Sequence, residues 1–370
     1  MKASILHGRP RQVWTMAVCW ILFWGILLVG CRGASPMMTA PSTSISPTPT
    51  WEPTKDSPLL PTPTVTPNPS FIIYKSIDFE EKKTFGIYFS SNGKYMTAIT
   101  EDGIYIYEIN HEPLELRKMT QLPISWTKVL GARISNDGQL VATFLNDIDI
   151  WDVSKKQKIH TLKMGQVRGL AISPNGKILA ATSCYSLKIW DLVTGSELIS
   201  WIPEHKEGDD CTINALSSQI WLSDETIVIK RPKDVAIWNF NREKEPLLLV
   251  LEGIELSRTI DVSPDKQLIA FAPHNVEIIS LFNKEPQHKI RISQEGWWAG
   301  RLLFSPDGHL LVAWFPEENS LKIFNIADEK ELQDLKIEGI YDFAFSENSS
   351  FLILGTLENN KGKIHWLKIR

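Results

Sequence analysis

Chemistry in this chain of 370 residues would have to come from side chains that attack, ligate or carry protons, so their spacing is taken first. The eight histidines are scattered, with no His-Glu-x-x-His and no paired spacing of the kind a metal needs. No metal and no cofactor is expected. There is no Gly-x-Ser-x-Gly elbow, no phosphate-cradling glycine loop and no Cys-x-x-Cys pair. The serines that do recur, Ser90, Ser135, Ser173, Ser263 and Ser305, stand just before turn sequences. Recurrence in register marks them as hairpin residues and not nucleophiles. Four cysteines remain, Cys19, Cys31, Cys184 and Cys211, and the chain reads as a binding protein with no chemistry of its own.

The first two cysteines belong to the front of the chain. Lys2, Arg9 and Arg11 precede an apolar run from Val13 to Gly30, the order of charge and hydrophobe found in export signals. The run ends Leu28-Val29-Gly30-Cys31, which resembles a bacterial lipoprotein signal. The resemblance implies that residues 1–30 are a signal peptide and that Cys31 is lipidated, anchoring the protein to a cell membrane outside the cytoplasm. A thiol is the side chain here nucleophilic enough to take a thioether-linked lipid. The other reading is an uncleaved transmembrane anchor, since about 18 apolar residues just span a bilayer. Both put the remainder outside, because the positive charges precede the span.

Residues 31–70 follow as a linker rich in Pro, Thr and Ser, including Ser46-Pro47-Thr48-Pro49-Thr50. Such a stretch cannot build a core and is expected to be disordered. Extended at about 3.1 Å per residue, it would reach on the order of 100 Å. The formal charge of the whole chain is -4. Removing the three leader cations takes it to about -7, with no basic stripe, so nucleic acid is not an expected partner.

From Phe71 onward a unit recurs, which decides the fold class before any single strand does. An apolar strand ends in Ser and a turn at Phe89-Ser90-Ser91-Asn92-Gly93, Ile134-Ser135-Asn136-Asp137-Gly138, Ile172-Ser173-Pro174-Asn175-Gly176, Val262-Ser263-Pro264-Asp265 and Phe304-Ser305-Pro306-Asp307-Gly308. Weaker copies stand at Ser223 and Ser346. Proline sets φ for the first turn position, and Asn-Gly or Asp-Gly accepts the positive φ of a tight hairpin. A later strand in each unit ends near an aromatic, as in Ile106-Tyr107-Glu108, Ile150-Trp151-Asp152 and Ile189-Trp190-Asp191. The spacing averages about 43 residues, giving about seven units of the length of a four-stranded blade.

Trp151-Asp152 and Trp190-Asp191 match the namesake dipeptide of WD40 repeats, and the units resemble that family from Phe71 to Arg370. The Gly-His pair that its members often carry is missing. The resemblance implies an all-β, seven-bladed WD40-like β-propeller over residues 71–370. In such propellers the outermost strand of the last blade comes from the N-terminal end. Phe71 to Ile77, alternating and β-prone, is therefore expected to pair with Ile364 to Ile369 and cover its open edge.

The same resemblance implies that a ligand binds where the connections between blades surround the central channel. The position five before each turn serine points into that mouth in the family; here it holds Phe85, Leu130, Arg168, Ser218, Arg258, Gly300 and Tyr341. Two arginines and two aromatics suit a carboxylate-bearing partner, because guanidinium presents a planar fork and rings stack. Nearby connections add Trp126, Trp297 and Trp298, and the ligand-binding set is Arg168, Arg258, Trp297, Trp298 and Tyr341. The opposing reading has the tryptophans packed between blades and the arginines merely solvated or paired with Asp209 and Asp210. Cys184 and Cys211 fall in loops on this same face, as a disulfide or as two free thiols. The expected function is a monomeric, non-catalytic scaffold that binds a protein partner or envelope polymer. The alternatives are a propeller hydrolase or lyase and a solute-binding lipoprotein, each with its site in the channel.

Overall fold

Six of the seven turn serines, all but Ser223, close their hairpins by the same two bonds. Ser90 Oγ donates to Asn92 Oδ1 at 2.7 Å and accepts from the Tyr95 N–H at 3.0 Å. The pattern repeats at Ser135 with Asp137 and Leu140, at Ser173 with Asn175 and Ile178, and at Ser305 with Asp307 and Leu310. It recurs again at Ser263 and at the weaker copy Ser346. A buried hydroxyl that donates and accepts within its own turn is committed to the hairpin. Gly93 sits in its turn at φ +66°, and a Cβ there would run into the carbonyl oxygen of Phe345, so glycine is required twice over.

The computed structural model describes residues 71–79, 82–183, 186–202, 218–231, 233–251, 254, 257–272, 276–281, 286–290 and 299–369. Its strands form seven four-stranded antiparallel sheets, numbered here as blades 1 to 7 along the chain. The inner strands of blades 1 to 7 are Thr84–Phe89, Gly131–Ile134, Gly169–Ile172, Ser218–Trp221, Ile260–Val262, Arg301–Phe304 and Ile340–Phe345. Three of the four strands of blade 7 come from the C-terminal end. Its fourth and outermost is Phe71–Phe79, running antiparallel to Lys361–Ile369 from the pair Phe71/Ile369 to the pair Phe79/Gly362. The closure expected from the sequence is thus present and extends two residues further. The Gln333 side chain of blade 6 clamps it, accepting from the Phe71 N–H at 2.8 Å and donating to the Phe71 carbonyl at 3.0 Å. His365 ties three strands of blade 7 together, with Nδ1 2.7 Å from Ser76 Oγ and Nε2 3.1 Å from Thr356 Oγ1.

The core lies between blades. Seven clusters of buried apolar side chains fill the seven interfaces between neighbouring blades, among them Tyr105, Met96 and Trp366 between blades 7 and 1. Successive strand residues point to opposite faces, so each second strand feeds two interfaces in alternation. Leu352 and Leu354 pack toward blade 6 while Ile353 packs toward blade 1. Both faces being covered, these strands read as continuous apolar runs, and Tyr95–Thr100 is buried throughout.

Outer strands are managed differently. Register shifts in blades 1, 2, 3, 5, 6 and 7 add a residue to the outer strand, Met119, Ile159, Leu198 and Tyr74 among them. A bulge twists an exposed edge away from pairing with another chain. Blade 4 pairs its outer strand, Leu247–Leu249, without a shift. The described residues belong to a compact unit running from Val65 to Arg370, and none of their helices is long and apolar enough to cross a membrane.

Candidate functional site: the central channel and its mouth

An innermost strand is paired on one side only, so seven unpaired backbone edges rim the channel and their polar groups need partners. Among the described residues, side chains reaching from one blade to the next supply several of them. Asp342 of blade 7 accepts the Phe89 N–H of blade 1 at 2.9 Å, and Asp261 of blade 5 accepts the Phe304 N–H of blade 6 at 2.7 Å. Trp221 Nε1 of blade 4 donates to the Ala171 carbonyl of blade 3 at 3.2 Å. These residues stand two or four before their turn serines, the period-2 set that shares one side of the strand.

Arg301, four before its serine, ion-pairs with Asp342. The walls enclose both groups, yet Arg301 keeps 36% of its side chain accessible, so solvent enters to this depth. Burial lowers the Arg301 guanidinium to about 10; the charge of Arg133 pushes the same way and Asp261 opposes. Burial pushes the Asp261 carboxyl up to about 7, against the N–H groups of Phe304 and Val262 and the charge of Arg301.

Beside this pair lies a tyrosine and arginine cluster between blades 7, 1 and 2. Tyr88 and Tyr341 stand edge to face with ring centroids 5.4 Å apart and their hydroxyls 3.0 Å apart. Tyr88 Oη donates to the Leu130 carbonyl at 3.2 Å. The Arg133 guanidinium carbon lies 5.0 Å from the centre of the Tyr88 ring, and its Nη1 donates to the Ala132 carbonyl at 2.9 Å. Two glycines make the space: a Cβ on Gly86 would come within 3.0 Å of Tyr341 Oη, and one on Gly131 within 2.9 Å of Tyr88 Oη. Burial and the neighbouring Tyr341 push the Tyr88 hydroxyl well above its ordinary value, keeping it a neutral donor.

The residues singled out in the sequence are placed as follows. Arg168 and Arg258 are exposed at the starts of the blade 3 and blade 5 inner strands. Burial lowers the Arg258 guanidinium and Glu317 opposes the shift. Leu130 is 62% exposed at the same rim. Phe85 stacks on Trp126 with centroids 4.3 Å apart. Tyr341 turns inward to Tyr88, because it and Phe85 are the extra residues of bulges at the start of their strands. Ser218 opens the blade 4 inner strand, and Gly300 precedes that of blade 6. Cys31, Cys184, Cys211, Trp297, Trp298, Asp209 and Asp210 lie outside the described residues.

Sequence reasoning passed over Tyr88, Arg133, Asp261, Arg301 and Asp342, which the inner strands carry among apolar side chains. The signal was there. A single charge inside an otherwise apolar strand, as in Gly131-Ala132-Arg133-Ile134 or Ile260-Asp261-Val262, has nowhere to point but the channel. Among the described residues no three His, Cys, Asp or Glu side chains gather as a metal would require.

Seven radial sheets around a polar channel define a seven-bladed β-propeller. The WD40 family model, "WD domain, G-beta repeat", matches residues 156–191, which hold the outer strand of blade 2, the first three strands of blade 3 and Trp190-Asp191. Among solved structures the chain is similar to the crystal structure of RRP9 WD40 repeats, with a TM-score of 0.62 and 18% identity over 80% of this chain and 97% of that one. No curated protein matches the chain.

Proposed function

We propose that this protein is a non-catalytic, membrane-anchored, extracytoplasmic scaffold that presents the channel mouth of its propeller to an acidic protein partner or envelope polymer. Lipidation of Cys31 and the linker over residues 31–70 supply the anchor and the reach in this reading. The observation that carries it is the mouth itself: Arg168 and Arg258 exposed at the starts of two inner strands, with exposed Leu130 and Trp126 between other blades. Interfaces favour rigid anchors of this kind, and guanidinium suits carboxylate. Loops on a closed ring vary without cost to the core.

A channel hydrolase or lyase finds one point of support in Asp261, whose carboxyl sits at about 7. Its Oδ2 is held by the Phe304 N–H, and Asp342, the other channel acid among the described residues, is neutralised by Arg301.

Crosslinking the intact protein on living cells, with wild type beside Arg168→Glu/Arg258→Glu, tests the scaffold. The expected result is a recurrent captured protein or polymer that the double variant loses at unchanged melting temperature. Equal capture by both rejects the mouth. Incorporation of labelled palmitate into wild type and not into Cys31→Ser protein tests the lipid anchor.

A further inference from the structure

Arg133 is a channel cation with no carboxylate beside it among the described residues. Among the described residues its bonds are a hydrogen bond to the Ala132 carbonyl and the contact with the Tyr88 ring. Burial depresses its guanidinium, and the groups that oppose the shift are the phenols of Tyr88 and Tyr341 and no carboxylate. Arg301 is neutralised by Asp342, and the charge of Arg133 reaches Arg301 and pushes its guanidinium down. Part-buried among aromatic rings and with donors to spare, this guanidinium is placed to take an anion that exchanges for channel water.

The geometry points to a carboxylate-binding site in the channel, formed by the Arg133 guanidinium and the Tyr341 hydroxyl, with the Tyr88 ring seating the guanidinium and its hydroxyl holding Tyr341 in place. This rests on the scaffold reading only in that both use the channel; it takes other residues than the mouth arginines and names the group bound. The Arg133 fork matches the two oxygens of a carboxylate. The phenols form a donor chain from Tyr341 to Tyr88 to the Leu130 carbonyl, and Tyr341 can swing its O–H to the ligand instead. Charge selects the class. The site offers one unneutralised positive charge and has Asp342 and Asp261 near Arg301, so one negative charge is balanced and a phosphate dianion is repelled. Gly86 and Gly131 hold the phenols close to the inner strands, leaving the guanidinium reachable along a channel open as deep as Arg301.

The carboxylate is either a free small acid or an acidic side chain carried by the partner. Ligand-observed NMR and calorimetry on the full-length chain distinguish these, using propionate, its neutral isostere propionamide, inorganic phosphate and the capped peptide Ac-Gly-Glu-Gly-NH2. Saturable binding of propionate is expected, weakened at least ten-fold by Arg133→Gln and several-fold by Tyr341→Phe, with Arg133→Lys restoring part. Tighter binding of the peptide than of propionate assigns the site to a partner's side chain; the reverse assigns it to a free acid. No binding of either probe, equal binding by Arg133→Gln, or phosphate and propionamide binding as well as propionate overturns the inference. Should Arg133→Gln fold poorly, the Tyr341→Phe comparison decides alone. Arg168→Glu/Arg258→Glu should retain propionate binding even where it loses the partner, which separates failure of the scaffold reading from failure of this site.

Discussion

The outer edge of blade 7 and the inner edges of blades 7, 1 and 2 are made from similar strands, yet they are finished in opposite ways. At the rim, backbone pairs with backbone over the length of Phe71–Phe79, with Phe71 only 2% exposed. At the hub the strands stop at an unpaired edge, and side chains such as Asp342, Asp261 and Tyr88 complete it. The difference separates two tasks. Pairing at the rim shuts the ring, and once the ring is shut the hub can hold charges that an ordinary core would exclude.

The harshest way to break this comparison is to remove the rim strand. Deleting Phe71–Asp78 should abolish cooperative unfolding in calorimetry, since the loss exceeds the roughly 5–15 kcal/mol that holds a domain together; an unchanged melting temperature would show that closure does not depend on it. Next comes the face where blades 1 and 7 meet at a turn. Gly93→Ala places a Cβ at φ +66° against the Phe345 carbonyl and should cost about 3 kcal/mol in denaturant melts.

The hub should respond least, and to pH. Asp261 has its carboxyl raised from 3.8 to about 7 in the folded chain, so between those values the folded state holds a proton that the unfolded state has lost. Stability from this group is therefore full below pH 4 and declines as pH rises toward 7. With channel solvent discounted, the decline is on the order of 1–2 kcal/mol. Asp261→Asn, which keeps an acceptor for the Phe304 N–H, should flatten the profile over that window and exceed wild type at pH 8. A variant whose profile parallels wild type would place the titration elsewhere.

Much of the fold was legible because local chemistry and global closure agree in this sequence. Ser, a turn and Asn or Asp two residues on announce each hairpin, and the bonds from Ser90 to Asn92 and Tyr95 are what that spelling encodes. The β-prone run at Phe71, with the last strand ending at Ile369, foretold the blade 7 seam. The hub was not legible to the same degree. Which side of an inner strand meets the channel depends on bulges at Phe85 and Tyr341, and one inserted residue reverses every side chain beyond it. Tyr341 was therefore placed at the mouth by counting, while its ring lies inside against Tyr88. Arg133 and Asp342 are neighbours of this cluster only in three dimensions, joined by blades 2 and 7 from opposite ends of the chain.

The seam between Phe71 and Ile369 also sets a clock. During synthesis the first of these residues leaves the ribosome about 300 residues before the second, and every blade in between can form its own hairpins while the circle stays open. Completion waits for the final nine-residue strand, so a chain cut short near its end would be left as an open arc with the raw flank of blade 7 uncovered, a form that quality-control proteases can recognise.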